Sequence, residues 1–242
     1  MTTFRAVLFD AGNTLLHLDY AFIAGVLAAA GHARAPFDIR VAEYAAKAAL
    51  DRHLAAQQTP PDRTEAQRPA ASSGPPPYFE IVLHQLRVPP AEIPPLLKAL
   101  KTHNQTDCLW RVVEPDTPAV LAELGERGFA LGVVSNADGR IEGDLARRGL
   151  GVYFATVVDS HVVGVEKPAR AIFELALARL DVPPGGAVYV GDVFGIDVCG
   201  ARAAGLPGVL LDPLGRYPGA VDCPRIRGLA ELLDLLPARA RG

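Results

Sequence analysis

Cysteine is scarce in this chain of 242 residues: Cys108, Cys199 and Cys223 stand far apart, without CxxC spacing. That excludes a disulfide framework, argues against a cysteine zinc site and fits a reducing compartment. Cys199, in an apolar helical stretch, reads as a packing residue. There is no excess of positive charge, the formal net charge being −3, so composition gives no electrostatic support for nucleic-acid binding. The locally basic stretch from Pro237 to Gly242 fits a solvated terminus. No apolar run approaches the ~20 residues that span a bilayer. Met1-Thr2-Thr3-Phe4-Arg5 lacks a charged-then-apolar leader pattern. The expectation is a soluble, cytoplasmic protein with neither a nucleic-acid nor a membrane partner.

Apolar residues make up half of the chain, ample for a core. The most informative run is Ala6-Val7-Leu8-Phe9, which ends at Asp10 and is followed by Ala11-Gly12-Asn13-Thr14. Four consecutive apolar residues bounded by turn formers read as a strand buried on both faces of a parallel sheet. Gly12 and Asn13 suit a tight turn, which leaves Asp10 at the strand's carboxyl end, where open α/β sheets bind ligands. The alternative is an aspartate that caps the next helix.

Two texture changes divide the chain. From Tyr20 to Ala30 and from Val41 to Ala56 the spacing predicts helices, and helical patterns return from Tyr78 to Leu86 and from Pro94 to Lys101. Between them, residues 57–77 are rich in Pro, Ser, Gly and charge and read as a long loop. From Pro118 onward, strands and helices alternate, the signature of a parallel sheet covered on both faces. The expected fold is a doubly wound α/β core, residues 1–16 and 112–242, carrying an all-helical insert over 17–111. Trp110, near the second joint, reads as a packing residue at the domain boundary.

Several predicted strands end on polar groups. Leu131-Gly132-Val133-Val134 runs into Ser135-Asn136, where the hydroxyl can donate to an oxyanion or cap a helix. Lys167 precedes Pro168 at the head of a helix, where the macrodipole disfavours a cation unless an anion compensates; the alternative is a surface lysine. Val188-Tyr189-Val190 ends at Gly191-Asp192, with Asp197 five residues later, a pair of hard oxygen donors of the kind Mg²⁺ prefers.

Taken in order, Asp10 with Thr14, Ser135, Lys167-Pro168 and Gly191-Asp192 with Asp197 resemble the four motifs of the haloacid dehalogenase-like hydrolase superfamily. The insert resembles that family's smaller, helical C1-type cap. The resemblance implies a Mg²⁺-dependent hydrolase, a phosphatase of small phosphorylated metabolites that forms an aspartyl-phosphate on Asp10. It implies metal ligation by Asp10, the Gly12 carbonyl and Asp192, with Asp197 in the outer shell. Ser135, Asn136, Thr14 and Lys167 would bind the phosphoryl group, with Lys167 also catalytic. A monomer or a homodimer is implied.

The chain departs from the pattern at Gly12, where the family's phosphatases carry an aspartate that moves the leaving group's proton. Three readings follow: a phosphatase in which water, His17 or Asp19 supplies the proton; a dehalogenase or phosphonate-cleaving member, the latter needing a cap lysine such as Lys47, Lys98 or Lys101; or a degenerate phosphate-binding or interaction protein.

Overall fold

The computed structural model of the protein describes residues 4–57, 78–219 and 221–237. Strand β1 (Ala6–Phe9) is fully buried, and its side chains show why: Val7 and Phe9 enter one apolar cluster, Ala6 and Leu8 another. Successive side chains of a strand point to opposite faces, so an all-apolar strand belongs where both faces are covered.

β2 (His17–Leu18) follows the turn, and the chain then passes through α1 (Tyr20–Ala29), α2 (Pro36–Gln57), α3 (Tyr78–Gln85) and α4 (Ile93–Thr106). It returns at β3 (Trp110–Val112), antiparallel to β2. Next come α5 (Thr117–Glu126), β4 (Ala130–Ser135), α6 (Ile141–Arg147), β5 (Thr156–Asp159), α7 (Ser160–Val163), α8 (Arg170–Leu180) and β6 (Ala187–Gly191). The rest is α9 (Cys199–Ala203), β7 (Gly208–Leu211), β8 (Arg225–Ile226) and α10 (Leu232–Leu235). The expected loop over 57–77 lies outside the described residues, apart from Gln57, which ends α2.

The chain divides into two units, Met1–Asp19 with Cys108–Gly242, and Tyr20–Asp107. The first holds a six-stranded parallel sheet in the order β5-β4-β1-β6-β7-β8, the α/β fold expected from the sequence. Helices α5, α6 and α10 supply Leu121, Leu145 and Leu232 to the Val7 and Phe9 face, while α8 and α9 supply Phe173 and Ala201 to the other. From β1 the chain steps to β4 and β5 on one side, then crosses back to β6, β7 and β8 on the other. The connections leaving β1 and β6 therefore diverge, and the crevice above their carboxyl ends is where such sheets receive ligands.

The second unit is helical throughout its described elements. Ile93, Leu96 and Leu100 line one stripe of α4 at helical spacing, and α1 and α3 bury Ile23, Leu27, Val82 and Leu83. Its interior also holds a charge: Glu43, buried on α2, accepts hydrogen bonds from the hydroxyls of Tyr20 and, at 2.6 Å, Tyr78. The buried ammonium of Lys47 stands 3.5 Å from the same carboxylate. Among the described residues, no helix is long and apolar enough to cross a membrane. The three cysteines are free, and burial raises the pKa of the Cys108 and Cys223 thiols above the ordinary range.

Candidate active site

Asp10 leaves β1 at its carboxyl end, its amide still donating to Val190 O of β6 at 2.8 Å. The carboxylate is almost fully buried, and its Oδ1 lies 2.6 Å from Nζ of Lys167. Among the described residues, Oδ2 has no hydrogen-bond partner and stays available for chemistry. The chain then turns by way of Asn13, at φ 55°, while the φ of Gly12 is not in the left-handed region. The conformational freedom that the sequence suggests at both residues is used at Asn13 alone. Asparagine tolerates that region.

Lys167 anchors the site. Its ammonium reaches Asp10 Oδ1, Asp197 Oδ1 at 2.7 Å and the Tyr189 hydroxyl at 3.0 Å, which together match the three donors of an ammonium. The residue is held by Asn136, whose Oδ1 accepts from the Lys167 amide at 2.7 Å and whose Nδ2 donates to the Lys167 carbonyl at 3.0 Å. Both polar ends of Asn136, expected at the phosphoryl group, thus bracket the main chain of the lysine. The Tyr189 hydroxyl donates in turn to Val134 O at 2.9 Å. Tyr189 was not among the residues singled out in the sequence, where Val-Tyr-Val reads as plain strand. The signal is that a buried tyrosine must place its hydroxyl on a partner.

Asp197 lies in a π-helical turn over Phe194–Val198, the kind of local irregularity often found at functional sites. Its Oδ2 accepts from the amides of Asp192 at 3.1 Å and Val193 at 2.9 Å, and its Oδ1 meets Lys167. Space for this carboxylate exists because residue 191 is glycine: a Cβ there would lie 2.3 Å from Asp197 Cγ. Asp10, Asp192 and Asp197 each present an oxygen within 4.8 Å of the others. A buried set of carboxylate oxygens is the donor chemistry of a small hard cation, and the residues fit Mg²⁺.

Ser135 ends β4, buried, with no hydrogen-bond partner for its hydroxyl among the described residues. A neighbouring carboxylate fixes the loop beyond it: Asp159, at the end of β5, accepts from the amides of Gly139 at 2.9 Å and His161 at 2.9 Å. Thr14 is fully buried, and its hydroxyl has no partner among the described residues. Asp19 is paired with Arg111 at 2.8 Å. His17 is buried in β2.

Burial sets the electrostatics. It raises the Asp10 carboxyl to a pKa of about 7, against the lowering effect of Lys167 and with help from the charges of Asp197 and Asp192. Burial alone would pull the Lys167 ammonium down, but Asp10, Asp197 and Tyr189 hold it well above its ordinary value. An acid whose folded pKa exceeds its unfolded one stabilises the fold only while protonated, and that contribution is lost as pH rises from about 4 through 7. Asp10→Asn is therefore expected to unfold at a higher temperature than the wild type at pH 8 in chelating buffer, with the gap closing toward pH 4. Thermal unfolding across that range is the check, and a gap that does not change with pH would contradict the assignment.

A family profile described as haloacid dehalogenase-like hydrolase matches residues 4–205. Haloacid dehalogenase-like hydrolase domain-containing protein 3 of Mus musculus is 35% identical over 167 residues, 66% of each chain. Ribulose-1,5-bisphosphate 5-phosphatase of Halopiger xanaduensis is 43% identical over 133 residues, 50% of this chain and 56% of that protein. The chain thus spans between half and two thirds of the length of these curated relatives. Among solved structures, a 2-haloacid dehalogenase from Pseudomonas syringae pv. Tomato aligns with a TM-score of 0.55 at 25% identity, covering 97% of this chain and 98% of that one.

Proposed function

The chain belongs to the haloacid dehalogenase-like hydrolase family, and from that footing we propose a Mg²⁺-dependent phosphatase of small phosphorylated metabolites that acts through an aspartyl-phosphate on Asp10. The observation that carries this reading is the convergence of Asp10, Asp192 and Asp197 within 4.8 Å, with the Lys167 ammonium between two of them. The similarity to a relative named for phosphatase activity supports it.

Asp10, the Gly12 carbonyl and Asp192 are the groups that would hold Mg²⁺, which when bound offsets the repulsion between a carboxylate nucleophile and an anionic phosphoryl group. The remaining work falls to side chains. Lys167 fixes Oδ1 of Asp10, leaving Oδ2 to attack phosphorus. As the new O–P bond forms, the ester bond breaks, and the leaving oxygen takes its proton from water because residue 12 is a glycine. Ser135 donates to a non-bridging phosphoryl oxygen, Asn136 holds Lys167, and Asp197 ties the lysine to the turn after β6. Water then attacks phosphorus, which releases inorganic phosphate and restores the carboxylate. The helical insert is assigned the cap role, 17–111 against a core of 1–16 and 112–242.

A dehalogenase reading draws on the missing carboxylate at Gly12 and on the dehalogenase among the structural neighbours. Carbon–halogen displacement by a carboxylate has no need of a bound cation, however, whereas three converging carboxylates are the donor set of one. The test is phosphate release from p-nitrophenyl phosphate and acetyl phosphate, with and without Mg²⁺, in the wild type and Asp10→Asn. Turnover that needs Mg²⁺ and falls at least ~10³-fold in the variant is expected. Halide release from a 2-haloacid, with no phosphate release, would reverse the assignment.

A further inference from the structure

Glycine at position 12 is not explained by backbone conformation, because the left-handed residue of this turn is Asn13. What stands beside it is Trp110: a Cβ on Gly12 would lie 3.5 Å from both Cδ1 and Nε1 of the indole, an ordinary van der Waals contact, so the ring lies directly against the backbone there. Trp110 is held firmly: it sits on β3, opposite Leu18 of β2, and packs partly buried against the cluster that contains Val7 and Phe9. A rigid aromatic edge therefore borders the backbone two residues beyond the nucleophile.

We propose that the Trp110 indole is a wall of the pocket that receives the organic part of the substrate, and that it selects phosphate esters of planar, acidic hydroxyls, aryl or enol in type. This rests on the phosphatase reading above. In-line displacement sets the leaving oxygen opposite the attacking oxygen of Asp10. The strand beneath Asp10 is fully buried, which leaves the departing group the side of the turn, and at residue 12 that side is bordered by Trp110. Two features then select the same leaving groups. Gly12 cannot donate a proton, so with water as the only proton source the esters favoured are those whose oxygen departs readily as the anion, and aryl or enol oxygens do. Trp110 offers a flat apolar surface with little conformational entropy to lose, which favours a planar group.

Trp110 is the single tryptophan of the chain, so emission excited at 295 nm reports on this position alone. In Asp10→Asn with Mg²⁺, phenyl phosphate is expected to shift that emission, and inorganic phosphate at the same occupancy to leave it near its starting value. In the enzyme with Asp10 intact, the ratio of kcat/KM for phenyl phosphate to that for acetyl phosphate is expected to fall about 3- to 10-fold in Trp110→Ala and to be retained in Trp110→Phe. Comparing the two substrates within one variant removes any general loss of folded enzyme. If phenyl phosphate is hydrolysed with dependence on Mg²⁺ and Asp10 but the ratio is equal in wild type and Trp110→Ala, the proposal is overturned while the phosphatase reading stands. If no ester releases phosphate in any variant, the phosphatase reading fails and takes the proposal with it.

Discussion

Lys167→Met is expected to lower kcat for p-nitrophenyl phosphate by at least ~10²- to 10³-fold, the cost of removing one preorganised electrostatic group from a dry site. It should also destabilise the fold. The ammonium is buried between the carboxylates of Asp10 and Asp197, and removing one member of a buried charge cluster strands the others, at a cost of about 3 to 5 kcal/mol. The two effects separate with pH. Without the cation, nothing opposes burial and the charges of Asp197 and Asp192 at Asp10, so its carboxyl rises further above its ordinary value. A carboxyl raised on folding loses stability as pH climbs through its folded pKa, so the deficit of the variant should be larger at pH 8 than at pH 5. Urea unfolding at the two pH values, read beside kcat, is the measurement. A kcat within tenfold of wild type, or an equal deficit at both pH values, would mean that Lys167 does not neutralise the cluster.

How much of this was legible in the sequence depends on whether a residue's role lies in its own neighbourhood. Asp10 and Asp192 are legible because each ends an apolar run, and a run of four or five apolar residues is enough to mark a buried strand and its carboxyl edge. Lys167 is legible because a cation at a helix start is out of place unless an anion meets it. Which anions meet it is not legible, since Asp10 lies 157 positions away and the pairing depends on the order of the strands. Asn136 shows the same limit. The resemblance implies a place for it at the phosphoryl group, and its amide spans the main chain of a residue 31 positions away. Strands β2, β3 and β8 escape because two or three residues carry no period-2 pattern. Gly12 reads as a turn former and Gly191 only as the residue before Asp192, yet it is at Gly191 that the fold uses the missing Cβ, which would meet Asp197 at 2.3 Å.

Gly191→Ala turns that distinction into a measurement. A methyl group at 191 would stand 2.3 Å from Cγ and 2.5 Å from Oδ2 of Asp197, less than real Cβ contacts allow. The neighbour is the carboxyl of a short side chain whose oxygens are tied to the amides of Asp192 and Val193 and to Lys167, so it cannot swing aside as the end of a long chain could. If Asp197 moves, Lys167 loses one of its two carboxylates and the turn that carries Asp192 loses its anchor. If the backbone moves instead, Asp192 moves with it. Either way the site fails as a unit: a loss of activity of about 10² or more is expected, with a destabilisation of roughly 1 to 3 kcal/mol from overpacking. The stabilisation of the folded protein by added Mg²⁺ should be lost as well, because ligands out of register no longer bind the cation in the folded state. Gly185→Ala is the control, since a Cβ there meets nothing within 4 Å. A Gly191→Ala protein as stable and as active as Gly185→Ala would show that Asp197 does not need its place against the backbone, and the role given to Asp197 in holding Lys167 would have to be withdrawn.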